Sequence, residues 1–188
     1  MVTSRDAAGQ AAPGALEPVR ELLNSWLIPN DSRRPADELG ALAARRGWTG
    51  PEAALVRELR DDLRRVVEGE AAAAGLDHWI TRLDLRPSVA GSEIAYRHQG
   101  GPAGDLLAAV VAAVGAGTWK RMKACPDCHW VFYDSTRNGS KRWCLMYAGS
   151  PDGRACGTIA KVRRYRARQA SARQASAREE SAHQPEPG

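Results

Sequence analysis

Four cysteines carry the metal-binding and redox chemistry open to this 188-residue chain, and all four fall between positions 125 and 156. They run Cys125-Pro126-Asp127-Cys128, then fifteen residues to Cys144, then eleven to Cys156. Four thiolates so grouped match a closed tetrahedral zinc site with sulfurs about 2.3 Å from the metal. A proline inside C-x2-C suits a tight knuckle whose backbone amides point at the sulfurs. His129, next to Cys128, is a fifth donor that could replace one cysteine, although a histidine there is more often a bystander. The rival reading is a redox C-x2-C, but that motif expects a helix start in an α/β fold, which nothing in the chain suggests. The bland alternative is four ordinary buried thiols. Clustering of every cysteine in one window argues for metal before disulfides. The expected cofactor is therefore Zn2+, held by Cys125, Cys128, Cys144 and Cys156.

The second chemical feature is charge. Residues 120–178 carry 14 basic side chains against three acidic, whereas residues 1–119 carry 13 basic against 16 acidic. A basic block beside a mildly acidic domain expects a polyanion partner for the block alone. From Cys156 the sequence reads as a helix with Lys161, Arg164 and Arg168 on one face and Arg163 and Arg166 on an adjacent one. Ile159 and Val162 should face the knuckle. Arg137, Asn138, Lys141 and Arg142 add charge and hydrogen-bonding capacity at a turn between the second and third cysteines. These nine residues are the candidate nucleic-acid contacts, and a helix so charged suits the major groove of duplex DNA. Two other readings stay open: an RNA-binding accessory protein, and an adaptor whose basic helix meets an acidic protein. Trp130, Phe132, Tyr133 and Trp143 bear on this choice. They could stack on unpaired bases, but in so small a module a mini-core is the stronger reading.

The elements that must position these groups follow from periodicity. The fold class expected is mainly α with a small β-hairpin, ending in a zinc-ribbon or treble-clef-like module. Residues 1–14 read as a disordered leader. Leu16, Val19, Leu22, Leu23, Trp26 and Leu27 have helical spacing, ended by Pro29-Asn30-Asp31. A second helix starts near Asp37 and stops at Gly47. A third follows the N-cap candidate Thr49, with Pro51 in its first turn, and runs into Ala71–Ala74 before Gly75. Residues 79–99 alternate with period two around Ala90-Gly91-Ser92 and predict a hairpin. Pro102 opens an apolar helix loosened by Gly115 and Gly117. Inside the cysteine window, Val131-Phe132-Tyr133 form one hairpin arm, residues 137–140 the turn, and Arg142-Trp143 the return. That unit of 32 residues cannot fold alone and needs metal or docking. Beyond Arg168 the repeat RQASA has no apolar face and reads as a frayed helix or solvated tail. The expected domains are 15–119, 120–168 and 169–188.

The run CPDCHWVFYDSTRNGSKRWC, a following Cys-Gly pair and the basic segment after it resemble the CGNR zinc-finger family. Its members join such a module to a helical N-terminal domain called ABATE, described as a stress-induced transcription regulator. Helices, one hairpin and a last apolar helix over residues 15–119 fit that architecture. The resemblance implies zinc-dependent DNA binding, with the first domain as sensor or dimeriser. Two departures stand out. The naming motif Cys-Gly-Asn-Arg reads here Cys156-Gly157-Thr158-Ile159, and the loop YAGSPDGRA lengthens the spacing to the last cysteine. A longer loop still permits closure, because its entropy rises slowly with length.

Other classes are disfavoured. The longest apolar stretch, Leu106–Val114, is too short for a bilayer. The N-terminus MVTSRDAAGQAAPG has no apolar core of a secretory signal, so the default compartment is the cytoplasm. No nucleophile–base pair or open metal site suggests an enzyme. Asp77 and His78 read as a helix-start cap, and Trp26, Trp48 and Trp79 as packing before pocket. A homodimer and a small-molecule effector are both compatible with the sequence.

Overall fold

The computed structural model describes residues 10–29, 32–145 and 155–182, with side chains to residue 175. Contacts divide the chain into two compact units, Met1–Cys144 and Leu145–Gly188. Among the described residues the first is mainly helical with three small antiparallel strand pairs.

Helix α1, Leu16–Leu23, buries Leu16, Val19, Leu22 and Leu23 on one face. It was expected to reach Leu27, but two polar side chains end it. Ser25 Oγ donates to the Leu22 carbonyl at 2.7 Å, and Asn24 turns its amide to the backbone of Val131. The chain then extends as β1, Trp26–Leu27, which pairs with β2, Ala36–Asp37. Asp37 accepts from Leu39 N at 3.0 Å and so starts α2, Leu39–Arg46, which stops at Gly47 with φ +68°. The left-handed conformation there is one that glycine adopts without steric cost.

Helix α3, Gly50–Val67, begins as the sequence predicts, with a Thr49–Glu52 capping box and proline in its first turn. It does not continue into the alanines. The amides of Glu70 and Ala71 both donate to the Arg65 carbonyl, Gly69 sits at φ +79°, and Ala73–Leu76 forms a separate 3-10 turn. Residues 79–82, expected in a strand, belong instead to α4, Asp77–Arg82. Trp79 is 1% exposed and its indole N–H donates to Asp62 at 2.8 Å, so core packing overrides the local alternation. The side chain of Asp77 does not cap α4.

The hairpin itself is β3, Arg86–Ala90, against β4, Glu93–Arg97, turning at Gly91–Ser92. Helix α5, Gly101–Gly115, is the apolar centre, with Ala103, Leu106, Leu107, Val110 and Ala113 buried. Gly104 is needed on it: a Cβ there would lie 2.1 Å from the His98 ring. A 3-10 turn, Trp119–Arg121, leads to β5, Met122–Ala124, and β6, Val131–Tyr133.

One core joins Leu22, Leu59 and Leu107 to Met122, Val131 and Tyr133, so β5 and β6 fold with the helices. Part of the expected leader belongs to it as well, since Gln10 and Ala12 are buried; residues 1–9 lie outside the described chain. The second unit contains α6, Cys156–Ala182, a continuous helix that extends through the RQASA repeats. Among the described residues no helix is long and apolar enough to cross a membrane.

Candidate metal centre

The C-x2-C knuckle is the loop of the β5/β6 hairpin. The register pairs Met122 with Tyr133, Lys123 with Phe132 and Ala124 with Val131. Cys125 N then donates to Trp130 O at 2.9 Å, and His129 N returns to Cys125 O at 2.8 Å. The sequence expectation paired Val131–Tyr133 with Arg142–Trp143; the partner is the strand before the knuckle. Residues 134–141 do not turn back as a hairpin, because the Asp134 carboxylate takes the Thr136 and Lys141 amides and gathers the loop around itself.

All four cysteines are buried and none forms a disulfide. Their Sγ atoms lie within 4.8 Å of one another, with Cys128 and Cys144 at 3.5 Å. Tetrahedral coordination with Zn–S near 2.3 Å puts sulfurs about 3.8 Å apart. The thiols thus fit a Zn2+ site, and an all-sulfur closed shell is the structural type rather than the catalytic type, which keeps an open position. His129 is not part of the cluster. It sits at φ +58°, its ring meets Trp26 edge-on at 5.7 Å, and Nδ1 lies 3.3 Å from Glu68.

Polar side chains absent from the sequence reading support the knuckle. Asn24 acts as a one-residue strand for β6: its amide donates to Val131 O at 2.8 Å and accepts from Val131 N at 2.7 Å. Arg64 is buried; it donates to the carbonyls of Leu23, Trp26 and His129, pairs with Glu68, and stacks 4.4 Å over Trp26. Burial pushes its pKa down, and Glu68 opposes that. Arg33 donates to Asp127 O at 3.0 Å inside the knuckle, and Ile28 N donates to Cys128 O at 3.3 Å. Gln10 donates to Cys144 O at 2.7 Å and accepts from the Trp130 indole at 3.1 Å. Only the polar character of these residues is visible in sequence; their partners lie far along the chain.

The loop between the second and third cysteines is organised by Asp134, which is fully buried. Its carboxylate accepts from Lys123 Nζ at 2.7 Å, Thr136 Oγ1 at 2.6 Å, Thr136 N at 3.1 Å and Lys141 N at 2.8 Å. Burial raises its pKa, but the bonds from Lys123, Thr136 and Lys141 outweigh that and hold it at about 2.

The candidate nucleic-acid residues fall in both units. Arg137, Asn138 and Arg142 are exposed on the loop, whereas Lys141 is half-buried with Nζ 5.0 Å over the Phe132 ring. Arg142 lies 5.5 Å over Trp143. Lys161, Arg163, Arg164, Arg166 and Arg168 are exposed on α6. At about 100° per residue, Lys161, Arg164 and Arg168 lie roughly opposite Arg163 and Arg166, not adjacent to them. Ile159 is half-buried and Val162 exposed, so the expected apolar seam is reduced to Ile159. Thr158 and Ile159, standing where the naming motif has Asn and Arg, occupy the first turn of α6. The long loop before Cys156 lies largely outside the described residues.

Trp130, Phe132 and Tyr133 are buried, as a core role requires, and Trp143 is half-buried. Of the three tryptophans considered for a pocket, Trp48 lines a cavity of about 260 Å³ with Pro18, Leu42 and Leu106, while Trp79 is core. No curated protein matches the chain. Residues 121–169, which hold the knuckle, all four cysteines and the first half of α6, match the family model of the CGNR zinc finger.

Proposed function

We propose that this chain is a zinc-dependent DNA-binding transcription regulator in which the metal fixes the start of a basic reading helix. The place of Cys156 carries the reading: the fourth thiol is the first residue of α6, and the helix then bears Lys161, Arg163, Arg164, Arg166 and Arg168 in solvent. Closing the sulfur shell holds that N-terminus in place. Neutralising phosphates releases counterions and gives salt-dependent affinity, while the B-form major groove admits a helix that the A-form groove does not. Burial of Trp130, Phe132 and Tyr133 takes those three rings away from unpaired bases, which favours duplex DNA over the RNA reading. The helical part over residues 15–119 serves as an ABATE-like sensor or dimeriser. The protein acts in the cytoplasm as a binding module rather than an enzyme.

The test is fluorescence anisotropy with labelled duplex DNA, duplex RNA and single strands at one salt concentration, each with and without chelator. Duplex DNA should bind most tightly, and chelation should abolish the preference. Tighter single-strand binding would move the reading to RNA. Chelator-insensitive binding would reduce it to non-specific attraction by a basic helix, and no binding would favour the acidic-protein adaptor.

A further inference from the structure

The β3/β4 hairpin has features that the metal centre does not use. Its strands are five residues each, and only Ser88 and Tyr96 are half-buried; the other eight residues are exposed. Among the described residues no further strand pairs with either edge. Gly91 takes φ +63° as the first residue of a two-residue loop, the arrangement of a type II′ turn. In such a hairpin the closing pair, Ala90 and Glu93, exchanges backbone hydrogen bonds. By alternation Ser88 with Ala95 and Arg86 with Arg97 do so too. Residues 87 and 89 on β3, and 94 and 96 on β4, therefore turn their backbone groups outward.

The two edges are not equivalent. On β3 one outward position is Pro87, which has no N–H to offer, so that edge is blocked. The β4 edge keeps both donors, at Ile94 and Tyr96. Its sequence, Glu93-Ile94-Ala95-Tyr96-Arg97, is complementary to itself when reversed about Ala95.

We propose that β4 pairs antiparallel with β4 of a second copy of this chain, about a two-fold axis through Ala95. Ile94 of each copy then faces Tyr96 of the other, each such pair exchanging both backbone hydrogen bonds. Glu93 faces the second copy's Arg97 twice, at close non-hydrogen-bonded positions. Within one chain neither Glu93 nor Arg97 has an ion-pair partner among the described residues, so both charges are free for this use. The small Ala95 lets the strands meet at the axis. One face of the resulting four-stranded sheet carries Val89, Ile94 and Tyr96 from both copies. That face gives Val89 and Ile94, 83% and 67% exposed in the single chain, apolar neighbours. Because Pro87 blocks the outer edges, assembly stops at two chains and does not propagate. The interface stands independently of DNA binding.

Sedimentation equilibrium of the full chain over a concentration series tests it, using Glu93→Arg and Arg97→Glu singly, together in one chain, and as a mixture of the two single variants. The wild type should dimerise. Each single reversal replaces two attractive pairs by two repulsive ones and should weaken the dimer roughly 10- to 30-fold. The double variant and the mixture both restore opposite charges and should recover the wild-type constant. Zinc content and the thermal midpoint, measured on every variant, confirm that the fold is intact. A monomeric wild type, a dimer indifferent to the single reversals, or a mixture no stronger than its components would overturn the proposal.

Discussion

Asp134 offers a direct test of how the loop between the second and third cysteines is held. Replacing it by Asn keeps shape and burial but removes the charge and exchanges one acceptor for a donor. With the amide oxygen toward Thr136, both bonds from that residue survive. The amide nitrogen then confronts Lys123 Nζ and Lys141 N, two donors that had been accepted at 2.7 and 2.8 Å. The charged bond contributes about 1.5–3 kcal/mol and an unpaired buried amide costs about 1–3 kcal/mol. Lys123 retains the Gly139 and Lys141 carbonyls, which lowers the total to about 3 kcal/mol. For a chain of this size, that is a fall in Tm of roughly 6–12 °C. If the loop must order for metal to close, zinc affinity falls by up to about 100-fold. Calorimetry at neutral pH and competition with a chromophoric chelator read the two quantities. A Tm within about 2 °C of wild type, with zinc affinity unchanged, would refute the reasoning.

Metal analysis should find one zinc per chain, lost in both Cys125→Ser and Cys144→Ser; retained zinc in both would sink the ligand assignment. Because Met122, Val131 and Tyr133 share the helical core, these variants should also lower the stability of α1 and α3, read by hydrogen exchange; unchanged protection would contradict a common core. On duplex DNA, log affinity should fall against log salt with a slope of about −0.9 per phosphate neutralised; a slope near zero would remove the electrostatic reading. Replacing Lys161, Arg164 and Arg168 by Ala should affect sequence preference differently from replacing Arg163 and Arg166, since the two sets lie on opposite sides of α6; equal effects on every sequence would leave only phosphate attraction. Bonds from Arg60 hold the Asp37 carboxylate well below its ordinary value of 3.8. The stabilisation is present above that value and is lost as pH falls through the folded-state pKa. Asp37→Asn should therefore flatten the acid limb of stability, and an unchanged limb would disprove the link.

The parts legible in sequence were those with local causes. Thr49 with Glu52 three residues on, the glycine after Arg46 and the Ala90-Gly91-Ser92 turn each specify their own backbone, and each is found where expected. The zinc ligands were legible for a related reason: four thiols in one window have few other uses. The departures from local pattern share a different cause. Trp26 and Leu27 continue a helical period, yet Ser25 and Asn24 end the helix, and the Asn24 amide bonds to residue 131. Trp79 fits a strand alternation, yet the core takes it into a helix with Asp62 as partner.

That pattern explains why the support of the knuckle was invisible. A six-residue loop bearing two ligands has few backbone partners of its own, and a buried unpaired carbonyl or amide is costly. This fold supplies partners from distant side chains, within the loop from Arg64 to His129 and Arg33 to Asp127, and beside it from Asn24 to Val131 and Gln10 to Cys144. Each of the four is an ordinary surface residue by type, and none repeats at a spacing that would single it out. Their function exists only once β5 and β6 lie against α1 and α3, so the first unit does more than carry the knuckle. It supplies hydrogen bonds around Cys125 and Cys128 that are made by side chains rather than by metal–sulfur bonds. Gln10→Ala makes this measurable. It removes one hydrogen bond from the Trp130 indole and one from the Cys144 carbonyl, and should cost about 1–3 kcal/mol in the metal-free protein as well as the metal-bound one. A cost confined to the metal-bound form would mean that zinc, not the helical core, orders the knuckle.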